Sequence, residues 1–429
     1  MNITLRTSSV RGQRGVGALL VVAMLCAAMA IVVMFTSRSL VFEQKTSANP
    51  YRSTIAMDAA EAGLEWTMAM LNKSGSVTRA CVDSGLEADT SFRQRYLGYE
   101  PASRSWTPAA GSGAVEAACV TSQRAATDAA APATDHDRVC SCPTAGTAPS
   151  VVSPLIGGFK PGFAIALVSN AAARSVDVVS YGCTSAITST GCIGDAAATV
   201  RATIASVPAV AIAPGAPLTV RGMVNVGDAA LAVQNSDQSS GGVTVNAGMG
   251  IAAVNLRITA SPGTPPTSTL IGNDDALRNA SEEQMFQTFF GVPKATWRES
   301  VADAILNCPC TDSDVAAALA GKKRKLWLRG DLLMNANRLL GSVDEPFVMI
   351  VDGRIEMRGD PGVYGLLYST GATWDNSGAD NALLVGAAVS EGNYTGSGTP
   401  SHVYDPRVMA SLTAIPGRFV RVPGSWRDF

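Results

Sequence analysis

Histidine is almost missing from this chain: His136 and His402 are the only two in 429 residues. They cannot build a multi-histidine metal cluster, and no HExxH zinc site is present. Charged residues make up only 16% and the net charge is −2, so the overall composition gives no basic footprint and no nucleic-acid partner is expected. No G-x-S-x-G elbow, no P-loop and no third glycine after Gly248-Met249-Gly250 at dinucleotide spacing occurs. His136 lies in the polar segment TDHDR, where exposure is expected, and His402 lies in SHVYD beside an expected strand. The acids Asp274-Asp275, Asp344-Glu345 and Asp360 fall in loop-like sequence, where carboxylates satisfy nearby backbone more often than they catalyse. The expectation is a non-enzymatic chain without a cofactor.

Apolar and small residues dominate instead. The chain is 47% hydrophobic and carries 41 glycines, a balance that favours strands, turns and small-residue packing. The length suits two or three domains. Of nine cysteines, Cys26 lies in an apolar N-terminal run. The other eight, Cys81, Cys119, Cys140, Cys142, Cys183, Cys192, Cys308 and Cys310, are read as disulfide candidates of an oxidising compartment. Zinc is the alternative, but the pairs at 140/142 and 308/310 enclose one residue where zinc ligands usually enclose two to four.

From Val16 to Phe35 there is no charged residue, enough for a helix of about 30 Å, the thickness of a bilayer's hydrocarbon core. Arg6, Arg11 and Arg14 precede this run, whereas Arg38 and Lys45 beyond it are offset by Glu43. The positive-inside bias puts the N-terminus in the cytoplasm and the remainder outside. Three readings compete. A secretory signal cut after Ala28-Met29-Ala30 would leave an apolar new terminus at Ile31–Phe35. An uncut anchor is the second. The third is a short basic leader ending at Gly15, cut before Val16 at the start of an apolar helix. The segment beyond the run keeps helical periodicity, with Val41, Ala48, Tyr51, Ile55, Ala59, Ala62, Trp66 and Ala69 on one stripe. That predicts one helix ending near Asn72-Lys73-Ser74-Gly75, with a kink at Pro50.

Gln13-Arg14-Gly15, the apolar run, Ser37-Arg38-Ser39-Leu40-Val41-Phe42-Glu43-Gln44 and Ala59-Ala60-Glu61-Ala62 together resemble the N-terminus of PilX-type minor pilins, the type IV pilus assembly proteins. The resemblance covers residues 11 to about 72. It implies that a prepilin peptidase cuts after Gly15 and methylates the amine of Val16, and that Glu43 and Glu61 are family motif positions. It also implies a single pass of the inner membrane with periplasmic outer domains, and other minor and major pilins as partners through the helix, with a tip adhesin as a further candidate. Major pilins carry a glutamate at the fifth mature position, where this chain has Leu20. A minor, tip or priming role is therefore expected. A surface adhesin or carbohydrate-binding module on the same anchor is the alternative, and an anchored lyase is a distant third.

Residues 75–160 lack clear periodicity and are expected to be irregular, stapled by Cys81, Cys119, Cys140 and Cys142 in a connectivity that sequence leaves open. GFAIALVSN, RSVDVVSYGCT and ATVRATIASVPA read as three strands of a small antiparallel sheet, with Cys183 and Cys192 flanking the second connection. Pro208, Pro214 and Pro217 mark a linker. Short strand-like runs from LTVRGMVNVG onward suggest a sandwich, a barrel or, preferred, an irregular parallel β-solenoid. Asp352-Gly353 also permits a hairpin.

A helical insert with Met285, Phe289, Trp297, Val301 and Ile305 starts at Ser281. VADAILN and SDVAAALAGKKRK read as two helices joined at Cys308 and Cys310, and Lys322-Lys323-Arg324-Lys325 as a solvated helix end. The ending, with Tyr404-Asp405 and Gly424-Ser425-Trp426-Arg427-Asp428, resembles that of large PilX-type proteins. The expected fold is α+β. A leader (1–15) precedes a transmembrane, pilin-like helix (16–37 in the membrane) packed on a small antiparallel sheet as a head through 207. A mainly β domain with helical inserts follows over 208–429.

Overall fold

The computed structural model describes residues 16–428 except 85, 87–88, 112, 124–135, 152–160, 173, 185, 189–190 and 194–195; at 16–18, 37–48, 122–123, 136–137, 186–188 and 191–193 only the backbone is described. A single helix, Val16–Asn72, opens the chain and continues through Pro50. Thr54 Oγ1 donates to the Pro50 carbonyl at 3.0 Å. Its C-terminal third packs on an antiparallel sheet. The sheet order is Pro416–Arg421, Ala197–Pro208, Ser175–Cys183, Gly162–Ser169, Val115–Gln123 and His136–Ser141. The three strands expected at 162–208 are present and antiparallel.

Val115–Gln123 corrects the expectation of irregular structure over 75–160. Its alanines give no strand signature in sequence. Ala117 and Ala118 are nevertheless fully buried, because their small size lets the sheet be covered on both faces. His136, expected in a loop, lies in the adjoining strand; its side-chain exposure is outside the described residues. The last strands, Pro416–Arg421 and Arg427–Asp428, return from the C-terminus to pair with Ala197–Pro208, so this sheet is built from both ends of the chain.

Residues 218–403 form a 17-stranded sheet whose pairings are all parallel. The hairpin at Asp352-Gly353 does not form: Phe347–Asp352 and Ile355–Met357 pair with strands before and after them, never with each other. One row runs Ala304–Asn307, Lys325–Arg329, Phe347–Asp352, Gly362–Ser369, Leu383–Ser390, Leu218–Val220, Val245–Ala247 and Leu270–Ile271. A second row of short strands accompanies it, and Leu, Val, Ile and Met side chains fill the space between. The earliest strands thus stack after the latest ones.

The chain must travel from one end of the stack to the other between 271 and 304. Helices Glu282–Phe290 and Lys294–Ser300 lie on that path. They bury Phe286, Phe290 and Trp297 against Trp327, Ile350 and Tyr368. Ser281 caps the first with Gln284 in a capping box, as expected. The buried positions are Met285, Phe286 and Phe290, not the expected Met285 and Phe289. VADAILN is not helical: Ala304–Asn307 is a strand paired with Leu326–Arg329, and only Asp312–Ala320 forms the second helix. Tertiary pairing overrides the helix-forming alanines there.

Glu116 is 1% exposed on the covered sheet. Burial pushes its carboxyl up to about 7; the amides of Ala110 and Gly146 pull the other way, but neither carboxylate oxygen completes a hydrogen bond. A raised carboxyl contributes stability below its unfolded value and loses it as pH rises through the folded one. Head stability is therefore expected to fall by roughly 3 kcal/mol between pH 4.5 and 8. Glu116→Gln should remove that fall, giving higher urea midpoints than the parent at pH 8 and equal ones at pH 4.5. Parallel pH profiles of the two proteins would contradict this.

Candidate functional site: the N-terminal stem and its seat

Gly15 lies outside the described residues, and Val16 is the first helical residue, described by its backbone. Leu19–Thr36 is long and apolar enough to cross a membrane. It is bare along its whole length, with Leu19 74% and Phe35 71% exposed. Exposed apolar surface of that extent is unfavourable in water and suited to lipid or to neighbouring apolar helices. Cys26, the free cysteine among the described residues, lies on it. The Glu43 side chain lies outside the described residues. Glu61 is exposed and has no hydrogen-bond or ion-pair partner among the described residues.

The stem's buried face differs from the expected stripe. Ala56, Ala59, Ala60, Leu64, Met70 and Leu71 are buried, whereas Tyr51, Ala62 and Ala69 face solvent. The reason is close packing through small residues. Gly63 sits against Ser180 and Phe163, and Gly182 sits so close that a methyl there would overlap the Ala56 carbonyl and the Ala60 amide. Trp66 then closes on Phe92 and Phe163, each with ring centroids 5.4 Å apart. Asn72 fastens the helix end to the C-terminal strand: its Nδ2 donates to the Phe419 carbonyl at 3.0 Å, and its Oδ1 accepts from the Phe419 amide at 2.7 Å. Arg93 Nη1 donates to the Gly417 carbonyl at 2.8 Å and Nε to Leu71 at 3.0 Å. Sequence reasoning placed the stem's end near Asn72 but missed the roles of Asn72, Arg93 and Gly182, which meet Phe419, Gly417 and Ala56 far away in the chain.

The cysteines pair as Cys81–Cys142, Cys119–Cys140 and Cys308–Cys310. Cys183 is disulfide-bonded, and the side chain of Cys192 lies outside the described residues. Arg95 Nη1 donates to the carbonyls of Thr78 and Cys142 at 3.1 and 2.7 Å, tying together the loops that the first disulfide joins.

Of the remaining candidates for chemistry, His402, Asp274, Asp360 and Asp405 have structural partners. His402 is buried with Nε2 2.5 Å from the Tyr394 hydroxyl, and burial pushes its pKa down to about 4. Asp274 caps a helix by accepting from Leu277 N at 3.0 Å. Asp360 accepts from Asn381 N at 2.7 Å. Asp405 caps the helix Pro406–Ala414, and Ser425 bridges to Thr203 at 3.1 Å. The Lys322–Lys325 run is a solvated helix end only at its start. Lys325 begins a strand and is 5% exposed, with Nζ 2.8 Å from Asp303 and 3.1 Å from the Pro416 carbonyl.

No family model matches the sequence, and no curated protein matches it. Among solved structures, the chain is similar to the competence-associated pilin ComZ from Thermus thermophilus at 12% identity, covering 88% of this chain and 98% of that one. The TM-score is 0.22, too low an overlap to carry an argument.

Proposed function

We propose that this chain is a minor pilin-like subunit of a type IV pilus machine, acting in assembly, priming or tip presentation. The observation that carries this is the stem: one helix, Val16–Asn72, bare and apolar over Leu19–Thr36 and seated on an antiparallel sheet over its last third. Such a helix holds the subunit in the inner membrane before assembly, N-terminus cytoplasmic and outer domains periplasmic, and packs against neighbouring pilins afterwards. The leader and the Ala59-Ala60-Glu61-Ala62 segment support the same reading. Leu20 at the fifth mature position leaves a processed Val16 amine without its own carboxylate, which favours a subunit few in number over bulk filament. The all-parallel register of 218–403 supports an irregular β-solenoid displayed beyond the stem. No catalysis is assigned. An adhesin displayed on the same stem is the second reading.

Gly15→Val should abolish leader removal by prepilin peptidase and leave the full-length chain in the membrane, visible as one heavier band beside the processed parent. Unchanged processing and pilus incorporation of that variant would overturn the proposal.

A further inference from the structure

Seven of the chain's 33 Lys and Arg residues line one cleft of about 590 Å³, against two acids, although the chain as a whole is net negative. The head contributes Lys73, Arg93 and Arg104; the β domain contributes all four members of the Lys322–Lys325 run. Leu97, Val301 and Ile415 give it apolar wall. Part of the charge is used within the fold, and one contact, Lys325 Nζ to the Pro416 carbonyl, joins the β domain to a strand of the head sheet. Arg93 and Arg324 donate to main-chain carbonyls of Leu71, Gly417 and Pro346, and Lys325 takes Asp303. Carbonyls fix those guanidinium groups in place without neutralising them. Burial lowers the pKa of Lys325, Asp303 pulls it up, and the nearby Arg93 and Arg324 pull it down again.

These contacts do not account for the rest. Among the described residues, Lys322, Lys323 and Arg104 have no side-chain hydrogen bond or ion pair, and Arg93 Nη2 and Arg324 Nη1 have no acceptor. Lys322 and Arg104 also occupy left-handed backbone, at φ 58° and 52°, which non-glycine residues rarely adopt. Gly321, next to Lys322, has an ordinary φ of −75°. Both sit where the chain turns: Lys322 ends the helix Asp312–Ala320, its amide donating to the Leu319 carbonyl and that of Lys323 to Ala318, and Arg104 closes the turn before Ser105–Pro108. The turns account for the backbone and leave two unpartnered cations lining an already cationic cleft.

We propose that the cleft binds a compact oxyanion, a carboxylate or a phosphate monoester, carried on a body about the size of one sugar ring. The volume falls in the range of small-molecule sites, and the free guanidinium donors suit oxyanion geometry. The half-apolar wall suits the ring that carries the charge. A ligand here touches both head and β domain, so it also braces one against the other. The site is independent of the pilin reading.

The detergent-solubilised full chain should be titrated by calorimetry with glucuronate, glucose 6-phosphate, inorganic phosphate and glucose. At least one anion is expected to bind with Kd near or below about 1 mM, weakening with added salt, while glucose does not bind. Glucuronate alone would assign a carboxylate; the two phosphates would assign a phosphate. Lys322→Gly should weaken that binding about tenfold while raising the melting temperature, because it relieves the left-handed strain. Lys323→Gln should weaken binding with the melting temperature unchanged. No anion binding, binding of glucose as strong as glucuronate, or anion affinity unaltered in both variants would overturn the site.

Discussion

Replacing Gly182 by alanine is expected to lower the stability of the head by about 3 kcal/mol, at the upper end of overpacking effects. The added methyl would overlap backbone atoms of the stem, the Ala56 carbonyl and the Ala60 amide, and backbone cannot rotate away as a side chain can. The helix must lift from the sheet, and Leu64, Leu71 and Trp66 lose contact with it. Gly63→Ala should be milder, about 1 kcal/mol, because it meets the Ser180 hydroxyl and the Phe163 ring. Gly272→Ala serves as the control: its nearest neighbour atom would be 3.9 Å away, and its effect should stay within about 0.5 kcal/mol. Denaturant unfolding of the solubilised full chain measures all three. Equal midpoints for Gly182→Ala and Gly272→Ala would show that the stem is not seated as described. This contact fixes how the stem sits on the sheet.

Asp303→Ala is expected to be more damaging still, by about 4 kcal/mol. Asp303 Oδ1 meets Lys325 Nζ at 2.8 Å, while Oδ2 accepts from the amides of Arg324 and Lys325 at 3.0 and 3.1 Å. Removal leaves the buried Lys325 ammonium with only the Pro416 carbonyl, and the amides of Arg324 and Lys325 without that acceptor, beside Arg93 and Arg324. Lys325→Met should be far milder, because Asp303 keeps its two amides and the apolar replacement needs no partner. The double variant should recover much of the loss of Asp303→Ala. That non-additivity distinguishes a buried charge pair from two independent packing sites. Additive losses in the cycle would contradict the pairing.

Much of this architecture is legible in sequence where the physical signal is local. The apolar run, the end of the stem at Asn72 and the β-branched strands at 162–208 are of this kind, as is the cap at Ser281. Where the signal is long-range or carried by small residues, periodicity misleads. The stem stripe through Tyr51 and Ala62 follows size and misses Ala56, Ala60 and Gly63, which bury because they are small. Val115–Gln123 is hidden by its alanines, and Ala304–Asn307 looks helical until Leu326–Arg329 pairs with it.

The stacking of 218–403 has a trace in sequence after all. Gly353, Gly371, Gly392 and Gly222 follow one another at one corner, each packed so tightly on the turn before that a methyl would overlap backbone. Their unequal spacing, and the placement of 218–220 after 383–390, conceal the pattern from any search for a fixed repeat. Lys325 reads as one more solvated lysine because nothing near it in sequence reveals Asp303 or Pro416 as its partners.

The mature N-terminus, read by mass spectrometry on protein purified from its native membrane, tests the central claim most directly. A chain beginning at N-methylated Val16 is the predicted result. A chain beginning at Met1, Asn2 or Ile31 would contradict it, making the stem an uncut anchor or a cleaved secretion signal.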